Sequence, residues 1–252
     1  MQLDILYEDD DIIIVNKPAG LLAIPDRFNA DIPSMGRQVE KALGQKIWVV
    51  HRLDRHTSGV ICFAKNEVVH RYLSMLFEDR GVNKFYIALV NGRVIPGEGR
   101  IDKPISEHPA VKGKMIIAKK GKPSLTEYKV VEQWPLYSLV QFQIFTGRTH
   151  QIRVHMASIG HTIVCDEIYG DGKPFLLSDI KRKYRLSDKD EQERPLLSRL
   201  ALHAQRLEFK KEDGKEIIAE APLPKDIAAC VKQLNKWAGG SEKRATTIDV
   251  EE

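Results

Sequence analysis

The chain has 252 residues and a formal net charge of +4, with 39 Lys and Arg against 35 Asp and Glu. Its 42% of hydrophobic residues and well-mixed charges fit a soluble globular protein with a sizeable core, and the mild basicity falls short of a bias that would signal nucleic acid by itself. Cys62, Cys165 and Cys230 are scattered without CxxC spacing, which argues against both a zinc site and a disulfide framework. The opening MQLDILYEDDD is acidic and lacks a signal pattern. No apolar run approaches the roughly 18 residues of a membrane span, so a reducing cytoplasm and no membrane partner are expected.

In chain order, DIIIVNK (Asp11–Lys17), IWVVHRL (Ile47–Leu53) and VICFA (Val60–Ala64) are short apolar runs rich in β-branched residues, as buried strands should be. Between the first two, Ser34–Leu43 reads as a helix with Ser34 as N-cap and Gly44 just past its end. Asn66–Arg80 is a second helix, with Val69, Leu73 and Leu76 on one face and Gly81 at its C-terminus. Further strands are expected over Phe85–Val90, Leu125–Glu132 and Tyr137–Phe145, the last two joined as a hairpin around Gln133–Pro135. Thr149–Ile159 reads as a third helix with Ile152, Met156 and Ile159 on one face, ended by Gly160. A last helix is expected from about Asp226 to Trp237, then a fraying Gly-, Ser- and charge-rich tail over 238–252. Neither a repeat nor a linker divides the chain. Many strands with few helices predict an α+β fold: a single domain over 1–237 on a mixed, mainly antiparallel sheet flanked by helices.

Two segments carry chemistry. HRLDRHTSGV (His51–Val60) places a lone carboxylate, Asp54, among Arg52, Arg55 and two histidines. The plain reading is an Asx-type turn, with Thr57 and Ser58 bonding the loop backbone and Gly59 in a strained conformation. The functional reading is a reactive acid that neighbouring positive charge keeps ionised, in a loop held between buried strands. TGRTHQIRVH (Thr146–His155) supplies a partner. Arg153 falls about 100° around the helix from Ile152, at the border of the apolar stripe, where it can reach a cleft or make an ordinary surface ion pair. His150 and His155 lack HExxH spacing and read as packed or hydrogen-bonded residues, not metal ligands.

Taken together, HRLDRHTSG, VNKPAGLLAIP (Val15–Pro25), KFYIALVNG (Lys84–Gly92), TGRTHQIRVHMASIGH (Thr146–His161) and ALHAQRLEF (Ala201–Phe209) occur in the order seen in the RluA-type pseudouridine synthases, which the chain resembles from roughly Leu3 to Pro224. ILYEDDDIIIVNKPAGLLAIP and GKPSLTEYKVVE look most like the branch of that family acting on both ribosomal RNA and tRNA. The resemblance implies an RNA-binding cleft across the sheet and an isomerisation that detaches uracil from ribose at N1 and rejoins it through C5. It implies no cofactor and no metal. By position it makes Asp54 the catalytic aspartate, Tyr86 the tyrosine that stacks on uracil, and Arg153 the arginine that pairs with the carboxylate. Whether Asp54 attacks the sugar or removes a ribose proton stays open. Arg52 sits where a family arginine contacts RNA; Arg55, Lys84, Arg148, His150 and Gln151 are the further expected RNA contacts.

These roles are physically coherent. Burial alone would neutralise an acid, so a nearby cation must hold its charge, and arginine does so through a fixed fork. A flat ring can hold a freed base while it turns. Lys112, Lys114, Lys119, Lys120 and Lys122, and the run Lys181–Arg185, are candidate phosphate contacts, with a solvated surface as the alternative. Lys173–Pro195 is longer than the family leads one to expect and ends in an acidic stretch. The resemblance starts within a few residues of Met1, so an N-terminal S4 domain is not expected and a monomer reading a compact stem-loop is. Two rivals are an inactive RNA-binding or chaperone protein of this fold, which needs no acid in its cleft, and a metal-dependent nuclease, which needs clustered carboxylates.

Overall fold

The computed structural model describes residues 2–26, 29, 31–186, 191–239 and the backbone of 242–243. Its elements begin with β1 (Ile5–Glu8), β2 (Ile12–Lys17), α1 (Met35–Leu43), β3 (Trp48–Val49), β4 (Ser58–Ala64), α2 (Glu67–Glu78) and β5 (Asn83–Asn91). There follow β6 (Glu98–Asp102), β7 (Ile105–Glu107), β8 (Met115–Ile117), β9 (Leu125–Gln133), β10 (Tyr137–Ile144) and α3 (Gln151–Ala157). The last are β11 (Leu202–Lys210), β12 (Glu216–Glu220), α4 (Lys225–Trp237) and β13 (Glu242–Lys243). The α+β class is as expected. The chain divides into two compact units, Met1–Tyr86 with His203–Pro222, and Ile87–Leu202 with Leu223–Glu252, the first cut falling inside β5.

In the first unit β4 is the central strand, and all seven of its residues are buried. It pairs antiparallel with β2 from Ile12↔Ala64 to Lys17↔Gly59, antiparallel with β3, and parallel with β11 at His203↔Ser58 and Ala204↔Gly59. β1 extends the sheet beyond β2, and β12 extends it beyond β11. The continuous apolar runs follow from this placement, because both faces are covered. Ile12, Ile14, Val60 and Cys62 pack towards Leu73 of α2, while Ile13, Val15, Ile61 and Phe63 pack towards Met35 and Val39 of α1. Each such side chain contributes roughly 1.5–3 kcal/mol by leaving water.

Both helices of this unit start where the sequence places them. Ser34 Oγ accepts from Arg37 N and Asn66 Oδ1 from Val69 N, satisfying first-turn donors that have no partner within the helix. Gly44 closes α1 with φ +66°. At the end of α2 the left-handed turn falls on Arg80 (φ +65°), one residue before the expected Gly81, whose N–H reaches Leu76 O. Gly59 is required as glycine. It has φ +114°, and a Cβ there would lie 2.0 Å from Ala204 O. The expected strand Ile47–Leu53 is only Trp48–Val49: Ile47 and Leu53 are buried, but the chain between them bends away to form the loop carrying Asp54.

In the second unit β9 and β10 form the expected hairpin, antiparallel from Ser138↔Gln133 to Ile144↔Thr126 with a bulge at Leu139/Val140. β6 and the β13 backbone also pair with β9. β7 and β8 form a separate two-stranded hairpin. α4 is fastened by an Arg199–Asp226 fork (2.7 Å at both nitrogens) and by Trp134 Nε1 donating to Asn235 Oδ1. In the long segment 173–195, Phe175 is buried against Tyr137 and bridges Leu197. The positions 187–190, and most of the tail expected to fray, lie outside the described residues.

α3 differs from its expectation. It spans seven residues, and all but the last are buried, so it has no exposed edge. Its polar side chains are accommodated by mutual satisfaction. His155 Nε2 donates to Lys103 O (2.9 Å), which leaves Nδ1 to accept from the Thr126 hydroxyl (2.9 Å). Gln151 Nε2 donates to Leu125 O and Thr126 Oγ1, while its Oε1 accepts from the Thr146 hydroxyl and Arg148 N.

Candidate active site

Asp54 lies in the first unit, in the loop that β4 follows. The loop turn closes through the backbone, with Thr57 N–H donating to Asp54 O at 3.1 Å. The next residue, Ser58, is not spent on the loop: its hydroxyl pairs with His203 Nδ1 at 3.0 Å in the core. His203 Nε2 faces Ala221 O at 3.3 Å. A second device grips the main chain one residue after Asp54. Lys17, fully buried at the end of β2, donates to the carbonyls of Pro18 (2.9 Å), Leu21 (2.8 Å) and Arg55 (3.1 Å). Gly20 and Arg55 add a reciprocal pair, Gly20 N to Arg55 O at 2.8 Å and Arg55 Nε to Gly20 O at 3.0 Å. The main chain immediately after Asp54 is therefore held by the buried Lys17 and by Gly20.

Tyr86 packs beside the α1-side core cluster of the same unit. Burial, and then the negative charge of Asp54, push its phenol pKa above the ordinary range. The ring is thus a neutral face within electrostatic reach of the carboxylate. Arg52 is exposed next to this loop, and Arg55 is exposed at its head group while bonded to Gly20. Lys84 departs from its expected RNA contact. It is 7% exposed, with its ammonium 5.9 Å from the centre of the Phe77 ring. Burial, then Arg80, lowers its pKa.

Arg153 belongs to the second unit and is 6% exposed, not a helix-edge arginine. Its Nε and Nη2 donate to Oδ2 and Oδ1 of Asp166, both at 2.8 Å. Asp166 Oδ1 also accepts the backbone N–H groups of Ile168 (2.9 Å) and Tyr169 (3.0 Å). Burial alone would raise the Asp166 pKa; the Arg153 fork and these N–H groups outweigh it and hold the carboxyl below its ordinary value. The Arg153 guanidinium lies over the Tyr169 ring, 5.1 Å from its centre. His150 takes a left-handed conformation (φ +55°) with Nδ1 3.0 Å from the Tyr169 hydroxyl. Arg148 Nε donates to Pro123 O at 3.3 Å. Gln151, expected to touch RNA, is instead 3% exposed with its whole amide bonded inside the protein.

Lys17, His203, Asp166 and Tyr169 are the participants that sequence reading did not single out. A lysine closing an apolar run (VNK) and an acid between an apolar run and Tyr-Gly (CDEIYG) were the available signals. Among the described residues no His, Cys, Asp and Glu group could hold a metal, and no helix is long and apolar enough to cross a membrane. The three cysteines are buried and unpaired with one another.

Asp54 thus lies in a held loop of the first unit with a neutral tyrosine in electrostatic reach, and Arg153 is buried on a short helix of the second. Residues 11–158 match the family model described as RNA pseudouridylate synthase, and the chain belongs to that family. It is 37% identical over 251 residues to the ribosomal large subunit pseudouridine synthase D of Neisseria meningitidis serogroup B, covering 95% of this chain and 63% of that protein. The corresponding protein of Nitrosomonas europaea is 36% identical over 247 residues, covering 96% and 68%. The chain thus spans about two thirds of the length of these relatives. Among solved structures, human RNA pseudouridylate synthase domain containing 1 matches with a TM-score of 0.72 at 26% identity, covering 98% of this chain and 92% of that one.

Proposed function

We propose that this chain is an RNA pseudouridine synthase that isomerises specific uridines in structured RNA, in large-subunit ribosomal RNA, tRNA stem-loops or both. The N1–C1′ bond breaks and a C5–C1′ bond forms; C5 loses a proton and N1 gains one, so the composition of the RNA is unchanged. Asp54 is the catalytic acid acting on the sugar. Tyr86 holds the detached uracil, and Arg153 is the counter-cation that keeps the acid ionised. The observation that carries this reading is the Asp54 loop, held at the very next residue by the buried Lys17 and close enough to Tyr86 for its charge to raise the phenol pKa.

Arg52, Arg55, Arg148 and His150 are the RNA contacts, together with the exposed Lys112, Lys119, Lys120 and Lys122. Extracting a base from its stack costs a few kcal/mol, which these phosphate contacts offset. The protein works as a cytoplasmic monomer over 1–237 without cofactor or metal. The test maps pseudouridine by carbodiimide labelling and primer extension in RNA from a strain lacking the gene, with wild type or Asp54→Ala restored. Signals lost in the deletion and regained only with the wild type support the reading. An unchanged map in all strains refutes it, in favour of an RNA-binding protein without the chemistry.

A further inference from the structure

The β7–β8 hairpin carries exposed lysines at both ends, Lys112 before β8 and Lys119 and Lys120 after it, yet each strand is three residues long. A two-stranded ribbon that short does not hold its own orientation in water. Its attachments therefore matter. Among them are Ile105, buried and bonded to Lys122 at its base, and the Tyr169 hydroxyl, which accepts Met115 N–H at 2.8 Å across 54 residues of chain.

Tyr169 is also the ring under Arg153. Its hydroxyl pairs with His150 Nδ1, its ring lies 5.1 Å from the Arg153 guanidinium, and its backbone N–H is held by Asp166. The same Asp166 grips Arg153. A phenylalanine would supply the packing under the guanidinium. Only the hydroxyl reaches the hairpin main chain, at the residue following Lys114, whose ammonium is itself 5.9 Å from the ring centre. One side chain thus joins a lysine-bearing ribbon to a buried arginine.

We propose that Tyr169 is a positioning residue that couples the lysine hairpin to Arg153, so that phosphate contact on the hairpin sets the guanidinium for reaction. This rests on the pseudouridine synthase reading above. RNA seated on Lys112, Lys119 and Lys120 fixes the ribbon, the ribbon fixes the Tyr169 hydroxyl through Met115, and the ring fixes the cation. Substrate binding and catalytic geometry then share one joint.

The test is single-turnover pseudouridine formation on deproteinised ribosomal RNA and bulk tRNA from the deletion strain, with enzyme in increasing excess. It yields a plateau rate and a half-saturating concentration for each variant. Tyr169→Phe is expected to lower the plateau about tenfold while leaving half-saturation within about twofold, the pattern of misplaced catalytic geometry. The triple change Lys112→Ala, Lys119→Ala, Lys120→Ala should raise half-saturation and flatten its salt dependence, because fewer counterions are released. It should also lower the plateau, but only where Tyr169 is intact. Independent, multiplying plateau losses overturn the coupling, as does a wild-type plateau in Tyr169→Phe. If that variant melts early, the triple variant decides alone, since an unchanged plateau overturns the proposal. A wild type that forms no pseudouridine, or an Asp54→Asn protein as fast as wild type, instead sinks the underlying reading and this proposal with it.

Discussion

The Asp54 loop and the Arg153 head group are held by opposite means. Lys17 brings positive charge to three main-chain carbonyls, those of Pro18 and Leu21 in the segment that follows it and that of Arg55 just after Asp54. Asp166 brings negative charge to a side chain, gripping Arg153 at two nitrogens. A backbone clamp fixes where a loop runs. A side-chain fork fixes the direction of one cation and neutralises much of its charge. On the proposed roles, the acid is placed through its neighbouring main chain, whereas the cation is held directly.

The sharpest way to test this division is to remove each partner. Asp54→Asn should abolish turnover, by about 10⁴-fold or more, with RNA binding nearly unchanged. Arg153→Met should destabilise the protein by about 3–5 kcal/mol in urea unfolding, since Asp166 is left as an uncompensated buried charge. Arg153→Lys keeps the charge but loses the fork, and should keep most of the stability while losing much of the rate. Lys17→Met leaves the Pro18, Leu21 and Arg55 carbonyls without that buried donor. A loss of about 2–4 kcal/mol is expected, together with a slower enzyme although no reacting group has changed.

A smaller effect separates the histidines behind the site from the site itself. His51, three residues before Asp54, stacks on Phe77 (centroids 4.6 Å apart) and accepts Cys62 N–H at 2.9 Å. Burial, and then the charge of Lys84, lowers its pKa from 6.5 to about 3. His155 is lowered too, chiefly by burial. The unfolded chain binds these protons below pH 6.5 while the folded chain refuses them, so their stability contribution is full above 6.5 and declines as pH falls towards 3. Urea midpoints measured across that window should fall with pH for the wild type and fall less steeply for His51→Gln.

Much of the fold was legible where a residue states its role locally. Ser34 and Gly44 bracket α1, and the β9–β10 hairpin and α4 lie within a residue or two of their expected limits. The readings that failed concern partners distant in sequence. An apolar stripe on Thr149–Ile159 looked one-sided because Gln151 and His155 are polar, yet both are buried against Thr126 and its surroundings. Ile47–Leu53 looked like one strand because it is a short apolar run rich in β-branched residues, yet only Trp48–Val49 pairs with β4. Asp54, Tyr86 and Arg153 were singled out through short motifs. Lys17 and Asp166 were not, because their meaning lies in the Arg55 carbonyl and the Arg153 guanidinium, 38 and 13 residues away.

The most direct measurement is pseudouridine formation by the purified chain on RNA from the deletion strain, wild type beside Asp54→Asn, with EDTA present. The account predicts conversion at defined uridines by the wild type, none by Asp54→Asn, and intact strands in both. Conversion by Asp54→Asn, or strand cleavage in place of conversion, would contradict it.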